Sequence, residues 1–259
     1  MRILFIGDIV GNPGRASVHR WLGPLKEEFR IDFVMANAEN AAGGVGATPA
    51  IVRELFNAGI SAITMGNHTW RKRELLGAID SLGPIARPAN YPPEVPGMGS
   101  HLVVLPDGRK VGIVNLIGRV YMEAFDCPFT VGLREVDRLR DETPLVIVDM
   151  HAEATSEKVA MGWFLDGKCT AVLGTHTHVQ TADERVLPHG TAYITDVGMT
   201  GPFDSVIGVE RETVIQKFLT GIPAEFKVAK DRPGISAVVI DADESTGRSN
   251  SITRIMRFD

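Results

Sequence analysis

Cysteine is scarce in this chain of 259 residues: only Cys127 and Cys169 occur. Two are too few for a disulfide framework, and the count suits a reducing cytosol. A surplus of positive charge is missing too. There are 27 Lys and Arg against 32 Asp and Glu, a formal net charge of −5. Proteins that hold nucleic acid by neutralising its backbone show the reverse balance, so no stable nucleic-acid binding is expected. Long apolar runs are also missing. No stretch reaches about 18 apolar residues, so neither a membrane-spanning helix nor a membrane partner is expected. The first run, Ile3-Leu4-Phe5-Ile6, is too short for the core of a secretion signal. No repeat, low-complexity tract or linker interrupts the chain. With 44% hydrophobic and 23% charged residues, it reads as a folded, mildly acidic, cytoplasmic protein. At roughly 150 residues per domain the length allows one or two. Without a linker, a single domain over residues 1–259 is expected.

What is present is a series of short apolar runs of the kind that buried parallel strands show. Ile3–Ile6 is the first. Gly11-Asn12-Pro13-Gly14 predicts a loop, and helical periodicity follows over 15–29. A second strand is expected over Asp32–Ala36. Thr48-Pro49 fits an N-cap with proline at the first helical position, and that helix should run to Asn57, with Gly59 as its stop. A third strand spans Ser61–Met65. Residues 83–99, rich in Pro and Gly, predict an irregular crossing. His101–Leu105 and Val111–Leu116 flank Pro106-Asp107-Gly108-Arg109, a hairpin signal. Residues 118–130 read as a long loop, a length that is often functional. Strands are expected at Leu145–Asp149, Thr170–Leu173 and Ala192–Thr195, then a helix near 209–219 and β segments at 233–241 and 250–257. The expected class is α/β with mixed sheets.

Polar residues collect where these strands stop. Asp8, Glu39-Asn40, Asn67-His68, His151 and His176-Thr177-His178 each follow an apolar run. In open α/β sheets, ligands bind outside the carboxyl ends of the strands. Singly, each residue has an ordinary explanation: Asp8 as a cap, Asn67-His68 as a turn, His151 as a hydrogen-bonded core histidine. His176 and His178 are more pointed, because residues i and i+2 of an extended segment face the same side. Together, five strand ends supply a mixed oxygen and nitrogen set suited to manganese, iron or zinc. There are too many ligands for one tetrahedral zinc. Two metals sharing a carboxylate accommodate them. His19, His101 and His189 lack such company and read as surface or structural residues. Cys169 and the tryptophans Trp21, Trp70 and Trp163 read as packing groups. Arg71-Lys72-Arg73-Glu74 reads as a solvated helix start.

Gly7-Asp8, Gly66-Asn67-His68, His151 and Gly174-Thr175-His176-Thr177-His178 resemble, in order, the motifs of calcineurin-like metallophosphoesterases. Two departures stand out. The first motif lacks the histidine of Asp-x-His, since Asp8 is followed by Ile9-Val10. The second offers Glu39 and Asn40 where a bridging aspartate is usual. These departures are similar to a subgroup, the YmdB-like bacterial phosphodiesterases. So are Asn37-Ala38-Glu39-Asn40-Ala41, Asn67-His68-Thr69-Trp70, the segment from His151 to Lys158, and Thr195-Asp196-Val197-Gly198-Met199-Thr200-Gly201-Pro202. Arg71 stands where the subgroup leads one to expect aspartate.

The resemblance implies a four-layer α-β-β-α sandwich of two mixed sheets. It also implies hydrolysis of small-molecule 2′,3′-cyclic nucleotides by attack of a metal-bridging hydroxide, and a homo-oligomer. The cofactors implied are two metal ions per subunit, with iron in first place and manganese as the alternative. Carried over by position, one metal takes Asp8, Glu39, Asn40 and His178, and the other takes Glu39, Asn67, His151 and His176, with Glu39 bridging. Asn40 then replaces the missing imidazole, and a neutral amide there implies weaker metal affinity. His68, next to a ligand but not one itself, is the expected proton donor to the leaving ribose oxygen. The glycine loop at 43–46 and the 118–130 segment are expected to border the substrate. Two alternatives stay open: a phosphomonoesterase or protein phosphatase on the same centre, and a regulatory metalloprotein acting through RNA or partner binding.

Overall fold

Period-2 alternation decides how the first strand is used. In the computed structural model, which describes residues 1–259, β1 (Arg2–Ile6) sends Ile3 and Phe5 into one apolar cluster and Leu4 and Ile6 into another. It is followed by a two-residue β2 (Asp8–Ile9), α1 (Gly11–Phe29), β3 (Phe33–Asn37), α2 (Pro49–Asn57), β4 (Ala62–Thr64) and β5 (Ile85–Ala86). The hairpin β6 (Ser100–Val104) and β7 (Lys110–Ile117) comes next, then α3 (Pro128–Arg140), β8 (Val146–His151), α4 (Thr155–Phe164) and β9 (Ala171–Thr175). The chain finishes with β10 (Arg185–Val186), β11 (Ala192–Ile194), β12 (Met199–Pro202), α5 (Arg211–Thr220), β13 (Pro233–Ala242) and β14 (Ser249–Phe258).

These strands form two mixed sheets. The first has the order β2-β12-β13-β1-β3-β4-β5, with β14 also on β13. Within it β1, β3, β4 and β5 run parallel, and β13 runs antiparallel to both β1 and β14. The second has the order β10-β11-β9-β8-β7-β6, parallel from β7 through β11 with antiparallel strands at both edges.

Three apolar clusters hold the elements together. One joins Leu4, Ile6 and Val34 of the first sheet to Leu22 and Leu25 of α1 and Leu55 of α2. The second joins the two sheets, with Phe5, Phe33 and Met35 against Ile113, Ile147 and Leu173. The third joins Leu116, Val148 and Met150 of the second sheet to Val136 and Leu139 of α3 and Met161 of α4. Each such side chain contributes about 1.5–3 kcal/mol on burial. No helix is long and apolar enough to cross a membrane.

The expected strands recur to within about two residues; the structure adds the short strands β2, β5, β10 and β12, and three further differences have identifiable reasons. The Gly11–Gly14 signal is the first turn of α1, not a loop. Proline is tolerated in a first turn, where its missing N–H has no intrahelical partner to lose. The 118–130 segment ends early, because Pro128 opens α3 as a first-position proline. Helix α4 was not expected; it is short, and of its apolar side chains only Met161 is fully buried against the second sheet. The start of α2 is as expected: Thr48 Oγ1 accepts from the Ile51 N–H at 3.3 Å. Thr48→Ala should lower stability by about 1 kcal/mol. Calorimetry should show a melting point lower by about 2–4 °C.

Candidate metal centre

Parallel strands in two sheets end along one rim, and the polar residues stand there. After β3, the chain turns through Glu39 and Asn40. Asn37 Oδ1 accepts from the Glu39 N–H at 3.0 Å and sets that turn. After β4 it turns through Asn67 and His68, and the His68 N–H donates to Glu39 Oε2 at 2.9 Å. A side chain at Gly66 would collide with Glu39 Oε2 and His151 Nε2, so glycine lets this turn pass beneath the site. Asp8 lies within β2 itself, paired with Met199 of β12. His151 is the last residue of β8, and His176 and His178 follow β9.

The seven expected ligands come together in two lobes around Glu39. In the first, His151 Nε2 lies 3.3 Å from Glu39 Oε2, 2.9 Å from Asn67 Oδ1 and 3.1 Å from His176 Nδ1. Ligand atoms of Glu39, His151 and His176 all fall within 4.8 Å of one another. In the second, Asn40 Nδ2 lies 3.0 Å from Glu39 Oε1 and 3.2 Å from His178 Nε2. His178 Nε2 is 3.9 Å from Asp8 Oδ1. His68 stands beside this lobe, with Nδ1 2.7 Å from Asn40 Oδ1 and 3.1 Å from Glu39 Oε1.

The outward nitrogens of the imidazoles determine what the inward ones can do. His151 Nδ1 meets Thr175 Oγ1 at 2.9 Å, and that hydroxyl gives its own proton to Asp149 Oδ1 at 2.7 Å. His151 therefore donates through Nδ1 and keeps a lone pair on Nε2. His178 Nδ1 donates to the Ile207 carbonyl at 2.8 Å, and His176 Nε2 faces Glu153 Oε2 at 3.1 Å. All three inward nitrogens thus carry lone pairs. This is the arrangement in which a second partner fixes the tautomer of a metal-binding histidine.

The lone pairs of His151 and His176 face other acceptors: Asn67 Oδ1, Glu39 Oε2 and each other. Asp8 Oδ1 is fully buried and has no hydrogen-bond partner at all. A cation satisfies every one of these atoms at once, so the donor set fits divalent metal. Asn40 presents Nδ2 to Glu39 and His178. A half-turn of the amide exchanges Nδ2 with Oδ1 and makes Asn40 an oxygen donor at the same spot.

The charges around these atoms have large effects. Burial drives the Asp8 carboxyl well above its usual range, and the neighbouring carboxylates Asp196, Glu39 and Asp149 push it further. Burial acts on Glu39 in the same sense. There the imidazoles of His151 and His68 prevail and hold the carboxyl well below its ordinary value. Burial lowers His151 to about 3 and also lowers His176, so both stay neutral. Burial raises Asp149 to about 7 against hydrogen bonds from Thr64, Thr175 and Asn37.

One local expectation fails. His176 and His178 do not lie on an extended strand; their φ angles are 100° and 67°. Such values are costly for side-chain-bearing residues and recur at functional sites. The turn they make sends His176 to one lobe and His178 to the other. Between them, Thr177 is held by Asp196, whose Oδ2 accepts from the Thr177 N–H at 3.0 Å and from Oγ1 at 2.6 Å. Asp196 also pairs with Lys158 at 2.7 Å, both fully buried. Lys158, Asp196, Asp149 and Glu153 were not picked out as site residues. Their only signal is charge or position next to ligand motifs, since one sequence does not reveal burial.

The remaining histidines have ordinary partners. His19 meets Glu54 at 3.1 Å, His101 Nε2 donates to the Ile85 carbonyl at 2.9 Å, and His189 Nδ1 meets Asp166 at 2.9 Å. Cys169 is buried in the third cluster, and Trp21 and Trp70 pack against the first. Trp163 departs from the packing expectation: it is half exposed, with the Arg185 guanidinium over its ring. The basic 71–74 stretch leads into a single 3-10 turn at Arg73–Leu75 rather than an α-helix.

Comparison with known proteins gives consistent likenesses. A family model described as YmdB-like protein matches residues 4–255. A 2′,3′-cyclic-nucleotide 2′-phosphodiesterase from Bacillus subtilis is 48% identical over 256 residues, which cover 99% of this chain and 97% of that one. The crystal structure of a novel phosphatase from Mycoplasma pneumoniae is similar with a TM-score of 0.93 and 36% identity, over 100% of this chain and 93% of that one. A hypothetical protein from Thermus thermophilus is similar with a TM-score of 0.91 and 42% identity, over 100% of both chains.

Proposed function

Because this chain belongs to the YmdB-like protein family, we propose that it is a metal-dependent phosphodiesterase that hydrolyses 2′,3′-cyclic nucleotides. The observation that carries the reading is the convergence of inward lone pairs on Glu39, His151 and His176 beside the unpartnered, buried Asp8 Oδ1. The name of the Bacillus subtilis relative supplies the substrate class. The three apolar clusters support a four-layer α-β-β-α order, and ligands drawn from both sheets support a single domain.

Two ions are assigned, one to Asp8, Glu39, Asn40 and His178 and one to Glu39, Asn67, His151 and His176, with Glu39 shared. Bound there, metal supplies Lewis-acid activation of the phosphoryl group and a lowered pKa for water. Iron and manganese both accept this donor set. Other work falls to the chain. Glu39 keeps its negative charge at the centre. Thr175, Glu153 and the Ile207 carbonyl keep the imidazoles aimed inward. Hydrolysis leaves a ribose oxygen that needs a proton, and His68 is placed to give it. In the imidazolium form Nδ1–H donates to Glu39 Oε1, 3.1 Å away, and Nε2 gives its proton to the ribose oxygen, which leaves a neutral imidazole.

His68→Ala should therefore retain both metals and lose about 10²–10⁴-fold in turnover. Steady-state kinetics beside metal analysis checks this; a missing ion would make His68 a ligand instead. The function itself is tested by quantifying metal on freshly purified protein and assaying a substrate panel. Turnover of 2′,3′-cyclic AMP above 3′,5′-cyclic AMP, bis-p-nitrophenyl phosphate and a phosphomonoester supports the reading. Preference for the monoester overturns it in favour of a phosphatase. RNA or partner binding that survives disabling of the metal site would favour a regulatory metalloprotein.

A further inference from the structure

An apolar cavity of about 450 Å³ shares Asn40, His68 and His178 with the metal centre. We propose that this cavity receives the nucleobase of the substrate, that Phe226 is the surface on which the base lies, and that the four common bases are accepted alike. The inference rests on the phosphodiesterase reading above and adds to it where the base goes and how it is recognised.

The volume is that of a small-molecule site. One wall is the glycine loop, with Gly43, Gly44 and Val45; the other is α5 and the segment that follows it, with Phe218, Phe226 and Val228. The two walls meet closely. A Cβ on Gly44 would stand 2.8 Å from Val228 Cγ2, and Gly44 has a φ of 89°. Glycine there lets the 226–228 segment come down beside the centre. The cavity thus opens on His68 and His178, where a phosphodiester held at the centre would place its ribose.

The lining chemistry argues for stacking over reading. Apart from the three residues shared with the centre, its only polar side chains are Lys217 and Lys227. Lysine donates and cannot accept. No carboxylate, hydroxyl or further amide is present to pair with the donor and acceptor pattern that distinguishes one base edge from another. An aromatic ring, by contrast, accepts the face of any base. Phe226 is 47% exposed and Phe218 83% exposed, although both rim a cavity. Lys217 Nζ stands 4.6 Å from the Phe226 ring centroid and steadies that ring by cation–π attraction. Packing within the fold leaves Phe218 largely uncovered and Phe226 about half uncovered.

The test compares four 2′,3′-cyclic nucleotides with glycerol 1,2-cyclic phosphate, a five-membered cyclic phosphodiester without a base. The metal-loaded wild type should hydrolyse all four nucleotides with kcat/KM values within about threefold of one another. Phe226→Ala should raise KM for each by about tenfold at unchanged kcat, and so reduce selectivity for nucleotide over the baseless probe by the same factor. Phe226→Trp should restore it. Discrimination among bases above tenfold, or equal losses on nucleotide and probe in Phe226→Ala, would overturn the proposal. So would an unchanged KM. A wild type inactive on nucleotides and probe alike would overturn the phosphodiesterase reading and this one with it, whereas an active wild type with an indifferent Phe226→Ala overturns only this one.

Discussion

Glu39→Gln is expected to remove bound metal from both lobes together and to lower phosphodiester turnover by at least about 10³-fold. Both carboxylate oxygens are committed. Oε1 accepts from Asn40 Nδ2 at 3.0 Å, and Oε2 accepts from the His68 N–H at 2.9 Å while facing His151 Nε2 at 3.3 Å. An amide of the same shape removes the one negative charge common to both lobes. At the Oε2 position its NH₂ would also face the His68 N–H, which is a donor. The packing should survive, because the substitution conserves volume and the site lies at the rim of both sheets. Metal analysis and kinetics on the purified variant check this. Full metal content with full activity would remove Glu39 from the bridging position.

Lys158→Met is expected to produce the largest loss of stability, about 3–5 kcal/mol. The ammonium is 1% exposed and its partner carboxylate is fully buried, 2.7 Å away. Intact, such a pair roughly balances its own desolvation. Broken from one side, it leaves the buried Asp196 carboxylate with only the hydrogen bonds from Thr177 and Gly198 to offset the cost. Methionine fills the space of the stem without supplying charge. For a chain of this size the melting temperature should fall by on the order of 10 °C. Activity should fall as well, because Asp196 also orders Thr177 between the two histidines. A melting temperature within a degree or two of wild type would mean that the pair does not hold the loop.

Much of this centre was legible because ligands after parallel strands announce themselves. Ile3–Ile6 followed by Asp8, and Ala62–Thr64 followed by Asn67, are apolar runs broken abruptly by polar side chains. The parallel pairing of β1, β3 and β4 carries those breaks to one rim. What could not be read is whatever depends on burial or on a single dihedral angle. Lys158 looks like any surface lysine until α4 is seen to press it against Asp196. Asp149 looks like the polar end of a strand, yet it lies inside β8 and fixes the His151 tautomer through Thr175. The His-x-His spacing pointed to two residues that do come to the centre, but by a different geometry from the one expected. Positive φ at both positions, not strand alternation, distributes them between the lobes. Helix α3 was hidden because Pro128, read as loop chemistry, is also a good first residue of a helix.

The position of β1 has a consequence for how the molecule is made. Its two neighbours are β3, about thirty residues away in sequence, and β13, whose Ala237–Asp241 pair with Arg2–Ile6 across more than two hundred residues. A ribosome that has released the chain only through β12 leaves one side of this strand, apolar from Ile3 to Ile6, bare. Every ligand-bearing segment has by then emerged, so the centre's residues are all outside the tunnel before the sheet that carries half of them can close. Long-range pairing of this kind is slow, and it leaves an open edge available to other chains while it waits. Synthesis of β13 is therefore the commitment step: the last long strands to appear are what convert a sticky, half-built sheet into a sealed one.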